Sequence, residues 1–155
     1  MFLTIHALFA LIFIKFLPNP LWAFLFGFAS HFLLDAIPHG DKEICQWDDE
    51  KRKKMMPRLA LIDGLIMLAF LYCLQKNLQL PLLSGAALVA GAVAPDAISG
   101  LLILFFKKPL NNPWEKIHIF FHLVLKKEPI PMKIGIWVQL AFLIAILYFL
   151  QLLYK

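Results

Sequence analysis

Cysteine is nearly absent. The chain has two, Cys45 in a charged connection and Cys73 in an apolar segment, with no paired spacing that would build a disulfide framework or a thiolate metal site. Both read as ordinary thiols. Charge is scarce too: 16% of the 155 residues are charged, against 61% hydrophobic and 15 phenylalanines, more apolar side chain than one small water-soluble core can hide. A soluble domain is therefore excluded, and no nucleic-acid partner is expected. The opening MFLTIHALFALIFIKFLPNP has no basic leader before its apolar run and no A-x-A-like site after it, so this segment is expected to be a retained helix and not a cleaved signal peptide.

What is present is a series of apolar runs separated by turn signals. They predict an all-α, polytopic membrane bundle forming a single domain over residues 1–155, with about five transmembrane helices near 2–17, 20–37, 57–75, 80–106 and 132–154, since a crossing takes ~20 residues. The PNP between the first two spans and the KNLQLP between the third and fourth are short enough to force antiparallel hairpins.

The connection GDKEICQWDDEKRKKMMPR carries Lys42, Lys51, Arg52, Lys53, Lys54 and Arg58, and the later segment carries Lys107, Lys108, Lys116, Lys126, Lys127 and Lys133. Together they hold 12 of the 15 basic residues. Both fall on one side of five alternating spans, and the positive-inside rule makes that side cytoplasmic. The expectation is a multi-pass inner-membrane protein with its N-terminus in the cytoplasm.

NNPWEKIHIFFHLVLKKE is too short to span but starts well as a helix. Asn112 can cap, Pro113 suits the first helical position, and Glu115 stands where a capping-box carboxylate reaches back. At 100° per residue Glu115, His118, His122 and Lys126 share a narrow stripe, while Trp114, Ile117, Phe120, Phe121, Val124 and Leu125 cover the rest. An interfacial amphipathic helix is expected over about 112–125, its polar stripe facing something polar.

On this topology every histidine and every intramembrane carboxylate lies in one leaflet. His6 begins the first span; His31, Asp35 and His39 end the second; Asp63 is near the start of the third; Asp96 is near the end of the fourth; His118 and His122 are on the interfacial helix. Polar residues scattered at random would divide between the two sides. Imidazole with carboxylate suits zinc, manganese or iron, whereas calcium takes oxygen alone. His31 and Asp35, four apart, share a helix face and can bind one ion or bridge two. His39 follows Pro38, which disfavours helix at Ile37, and would reach the site from the helix end. Asp63, a carboxylate to spare, is the expected general base or ligand-orienting group.

SHFLLDAIP resembles the SH-L-L-L-D signature of the bacterial membrane-bound metal-dependent hydrolases, small inner-membrane proteins that also carry a histidine in the first helix, as His6 is here. GAVAPDAIS around Asp96 is similar to their G-A-L-L-P-D motif, and HIFFH at His118 to His122 loosely echoes H-R-G-x-T-H without its Arg, Gly and Thr. The order of the motifs also differs. The resemblance implies an all-helical membrane hydrolase with metal ligands from several helices, and it carries over onto His6, His31, Asp35 and Asp96. His118 and His122 rest on their own spacing.

The expected function is a membrane-embedded hydrolase that uses one or two divalent transition-metal ions, zinc first and manganese second, at the cytoplasmic leaflet. Its expected partners are membrane lipids, and its substrate a phosphoester of a lipid or lipid-linked molecule. The rivals are a metal-ion or proton transporter, which needs polar groups at successive depths, and a scaffold whose polar cluster only fixes helix packing. The small residues of GAALVAGAVA suit close helix contact, within the chain or between copies in a homo-oligomer.

Overall fold

The computed structural model describes residues 1–40, 42–105, 112–124 and 130–154, without the side chains of Cys45, Asp49 and Leu123. Phe106, Lys107, Lys108, Leu125, Lys126 and Lys127, which the expectations above include, lie outside the described residues. The described chain is all-helical: α1 Leu3–Leu11, α2 Pro20–Asp35, α3 Lys42–Cys45, α4 Asp49–Leu78, α5 Leu82–Phe105, α6 Pro113–Leu123 and α7 Met132–Leu153, with a 3₁₀ turn at Ile14–Phe16.

Among the described residues three helices, in α4, α5 and α7, are long and apolar enough to cross a membrane. The expected five spans are not confirmed. α1 has 9 residues and α2 has 16, short of the ~20 that a crossing needs. The first span breaks because Pro18 disfavours helical geometry at Leu17, so the chain tightens into a 3₁₀ turn before the PNP link. α2 starts as expected, with Asn19 accepting from Leu21 N and Trp22 N and Pro20 in the first turn. It stops at Asp35, three residues before Pro38.

α4 is also corrected. It begins at Asp49, eight residues before the expected start at Pro57, because Asp48 caps it by accepting from Lys51 N at 2.7 Å. Glu50, Lys51, Arg52, Lys53 and Lys54 are good helix formers that carry the helix through Pro57, although an interior proline forfeits a hydrogen bond at about 3 kcal/mol. Half of the basic connection is thus a helical extension of α4.

α1 is the hub. Thr4, Ile5, His6, Ala7, Leu8, Ala10 and Leu11 are all buried, and α2, α4, α5 and α7 surround it, the expected fate of a helix apolar on all faces. The most extensive contact joins α2 to α5. There a side chain on Gly27 would strike the Leu88 carbonyl and Ala92 N, and one on Gly91 would strike the Phe24 carbonyl and Phe28 N. Two glycines let the backbones touch, so this part of GAALVAGAVA serves an internal crossing. Outward, α4 presents Leu61, Leu65 and Tyr72 and α7 presents Trp137, Ile144 and Tyr148, an apolar surface of the kind lipid covers.

The link after α2 is pinned against α7. Gly40 has φ 90°, a left-handed conformation that glycine adopts without strain, and a side chain on Gly135 would strike the His39 carbonyl and Gly40 Cα. Gly135→Ala is therefore expected to displace the His39 link and to cost about 1–3 kcal/mol by overpacking. The thermal midpoint in detergent should fall, and an unchanged midpoint would contradict the close approach.

Candidate metal centre

Elements that alternate in direction bring their polar residues to one end of the bundle. Asp35 lies at its middle, fully buried at the C-terminus of α2. Its Oδ2 is 2.9 Å from His31 Nε2, 3.1 Å from His118 Nε2 and 3.0 Å from His122 Nε2. Its Oδ1 is 3.2 Å from His6 Nε2 and 3.0 Å from the α-amino group of Met1. Asp96 on α5 stands behind, with Oδ1 3.7 Å from both His31 Nε2 and His118 Nε2. The His6 and His31 rings stack at 4.0 Å.

Among the described residues, two sets of side chains could each hold a metal ion: His31, Asp35, Asp96 and His118, and Asp35, His39 and His122. Within each set, one ligand atom per residue lies within 4.8 Å of all the others. Every residue expected to bind metal is thus in or against the cluster, with His6 reaching it through Asp35.

The opposite ring nitrogens fix the direction of the lone pairs. His31 Nδ1 is 2.8 Å from the Ala92 carbonyl and His39 Nδ1 is 2.6 Å from the Ile37 carbonyl. A carbonyl only accepts, so each Nδ1 carries the proton and, in the neutral ring, Nε2 carries the lone pair. His118 Nδ1 is 2.8 Å from Ser99 Oγ, which accepts from Trp114 Nε1 at 3.0 Å and has a second lone pair for Nδ1–H. His31 Nε2 and His118 Nε2 meet at 3.2 Å, both against Asp35 Oδ2, and His31 brings a lone pair to that point. His6 is buried beside it, with Nδ1 unpartnered among the described residues and Nε2 3.2 Å from Asp35 Oδ1. Nitrogen lone pairs beside a carboxylate make a donor set that a divalent cation could occupy.

Ser99 and Trp114 escaped the reading of the sequence, although helical spacing could have found them: Ser99 is three residues past Asp96 and Trp114 four before His118, each on its partner's face. Such partners hold a ligand imidazole in place, and losing one typically weakens metal binding 10–100-fold. Ser99→Ala is expected to lower affinity for added zinc by roughly 10-fold or more, read by competition with a chromophoric chelator; unchanged affinity would remove Ser99 from the support of His118.

Gln139 on α7 is a second omission. Its Oε1 accepts from Phe2 N and its Nε2 donates to the His39 carbonyl, both at 2.8 Å, tying the start of α1 to the His39 link. A lone glutamine in an apolar run gave only a weak signal.

Asp63 stands elsewhere. Its carboxylate takes the backbone N–H of Leu3 and of Thr4 and, at 2.6 Å, the Thr4 hydroxyl. It caps α1 from another helix, satisfying donors that a helix start leaves bare, and it is in neither of the two candidate metal-binding sets. Glu115 departs from the capping-box expectation as well, with Oε1 buried and unpartnered among the described residues, while Asn112 caps α6 as expected. The stripe of α6 behaves as its pattern implies. Glu115 and His118 are buried, and Ile117, Phe120 and Val124 are exposed. Cys73 is an exposed free thiol, apart from the cluster.

No family model, curated protein or solved structure matches the chain. The chemistry of the centre therefore rests on its own residues.

Proposed function

We propose that the protein is a metal-dependent hydrolase of the membrane surface, acting on a phosphoester of a lipid or lipid-linked substrate. One observation carries the reading: imidazole Nε2 atoms from three helices converge on Asp35 within 3.2 Å, with the His31 ring holding its proton on the far nitrogen against the Ala92 carbonyl. Nitrogen with carboxylate oxygen favours zinc, with manganese the alternative. The chemistry such an ion supplies when bound is Lewis-acid activation of water and of a phosphoryl oxygen.

The chain's own residues supply the rest. His31, Asp35 and His118 are buried, while the Asp96 side chain is 28% exposed and that of His122 22%, so the cluster opens on the Asp96 and His122 side. With Asp63 engaged at α1, Asp96 is the carboxylate placed to orient an attacking water. The short motifs shared with membrane-bound metal-dependent hydrolases fall on His6, His31, Asp35 and Asp96, all of them at the cluster. The basic residues of α4 favour anionic head groups over neutral ones. Transport is the weaker reading, since the core beyond the cluster is largely apolar, with Leu8, Leu11, Leu88, Ile146 and Leu150 and, among the described residues, no buried Asp, Glu or His.

Orientation follows from the basic residues. A cysteine at Lys53 is expected to resist an impermeant thiol reagent applied outside intact cells and to react once the membrane is opened; labelling from outside would reverse the topology. The activity is tested by incubating wild type and Asp96→Ala with mixed bacterial lipids and with membrane peptides, with and without zinc or manganese, and following products by mass spectrometry. Metal-dependent phosphoester products from wild type alone support the reading. Peptide products alone would overturn the substrate class, and no product from a metal-loaded protein would overturn the hydrolase.

A further inference from the structure

The cluster holds more ligands than one ion can use. His6, His31, Asp35, His39, Asp96, His118 and His122 all meet there, whereas zinc with imidazole and carboxylate usually takes about four ligands and manganese about six. The surplus is ordered in space. His31, Asp96 and His118 form one set and His39 with His122 another, and Asp35 is the member they share.

Asp35 is built as a bridge. His6 approaches one of its oxygens, and His31, His118 and His122 approach the other. A carboxylate oxygen has two lone pairs, so three imidazoles around Oδ2 exceed what it serves as a hydrogen-bond acceptor. The helices supply the repeat: His118 and His122 are one turn apart on α6 with ring centres 5.0 Å apart, and His122 packs on His39 at 5.1 Å. Each set draws one imidazole from α6 and at least one from α2 or the link after it.

We infer that the centre binds two divalent cations bridged by Asp35, one on His31, Asp96 and His118 and the second on His39 and His122. This rests on the metal-dependent reading above and deepens it. Paired cations about 3.5–4 Å apart hold the attacking and leaving oxygens of an in-line displacement at phosphorus, which makes the phosphoester, rather than the amide, the bond this pair fits. Each site has one partly exposed ligand, Asp96 at the first and His122 at the second.

The test uses the full chain in detergent, stripped with chelator and titrated with manganese chloride. Bound manganese is counted by equilibrium dialysis and its environment read by electron paramagnetic resonance. Wild type is expected to bind two ions per chain with a spin-coupled multiline spectrum at saturation. In His39→Ala/His122→Ala the stoichiometry should halve and the spectrum revert to that of an isolated ion. His122→Gln, a milder change, should weaken the second binding step by at least about tenfold and spare the first. Saturation of wild type at one ion, with an isolated-ion spectrum that the double substitution leaves alone, overturns the bridged pair and keeps the hydrolase reading. A folded wild type that takes up neither manganese nor zinc overturns both.

Discussion

Asp35→Ala is expected to abolish metal retention. Four imidazoles and an α-amino group lie within 3.2 Å of this one carboxylate, so removing it takes a ligand from each of the two possible sets and a fully buried carboxylate from among their nitrogens. Loss of a mere supporting partner weakens a metal site about 10–100-fold, and a shared ligand should cost at least the upper end of that range. Affinity for added zinc, read by chelator competition, should fall by ~100-fold or more. Asp35→Asn, which keeps the shape and removes the charge, should behave alike. A variant that folds and binds zinc as wild type does would make Asp35 a packing residue.

Gly91→Val is expected to have the largest effect of any substitution remote from the ligands. The α2 and α5 backbones touch at Gly91 and Gly27, and a branched side chain at Gly91 would have to displace the Phe24 carbonyl and Phe28 N, atoms that cannot rotate aside. Overpacking typically costs about 1–3 kcal/mol, and more where backbone must yield. The crossing also positions the centre, because His31 on α2 reaches the Ala92 carbonyl on α5, one residue past Gly91. Parting the helices should therefore lower the thermal midpoint in detergent and the bound metal together. Gly64→Val and Gly100→Val are matched controls, since a side chain at either meets nothing within 4 Å, and both should leave metal content unchanged. Equal behaviour of all three variants would refute the close crossing.

How much of this was legible in the sequence differed by level. The His31–Asp35 spacing, the stripe of α6 and the gathering of polar residues at one end all follow from helical periodicity and from antiparallel hairpins, which are local properties. The structure repeats them: His31 lies 2.9 Å from Asp35 as an i,i+4 pair, and α6 turns Glu115 and His118 inward. Element lengths were less legible. An apolar run continues through Ile12 to Leu17 although the helix stops at Leu11, because apolarity marks what can be buried and not what stays helical before a proline. Pro57 misled in the other direction: it reads as a start, yet a capped run of good helix formers precedes it. Asp63 was beyond reach for another reason. Its partner is the start of α1, some sixty residues away, and no spacing rule couples a carboxylate to a distant helix start. The backbone partners Ala92 and Ile37 were equally hidden, since a carbonyl has no side-chain signature.

The central claim is that the nitrogens around Asp35 face a cation. X-ray absorption at the metal edge, with elemental analysis of the same sample, tests it most directly on wild type purified in detergent without chelator. The account predicts at least one transition-metal ion per chain in a shell of nitrogen and oxygen, with the outer-shell scattering of imidazole and no sulfur. A folded protein free of metal would contradict it, as would a shell containing sulfur, which would move the site to Cys45 or Cys73.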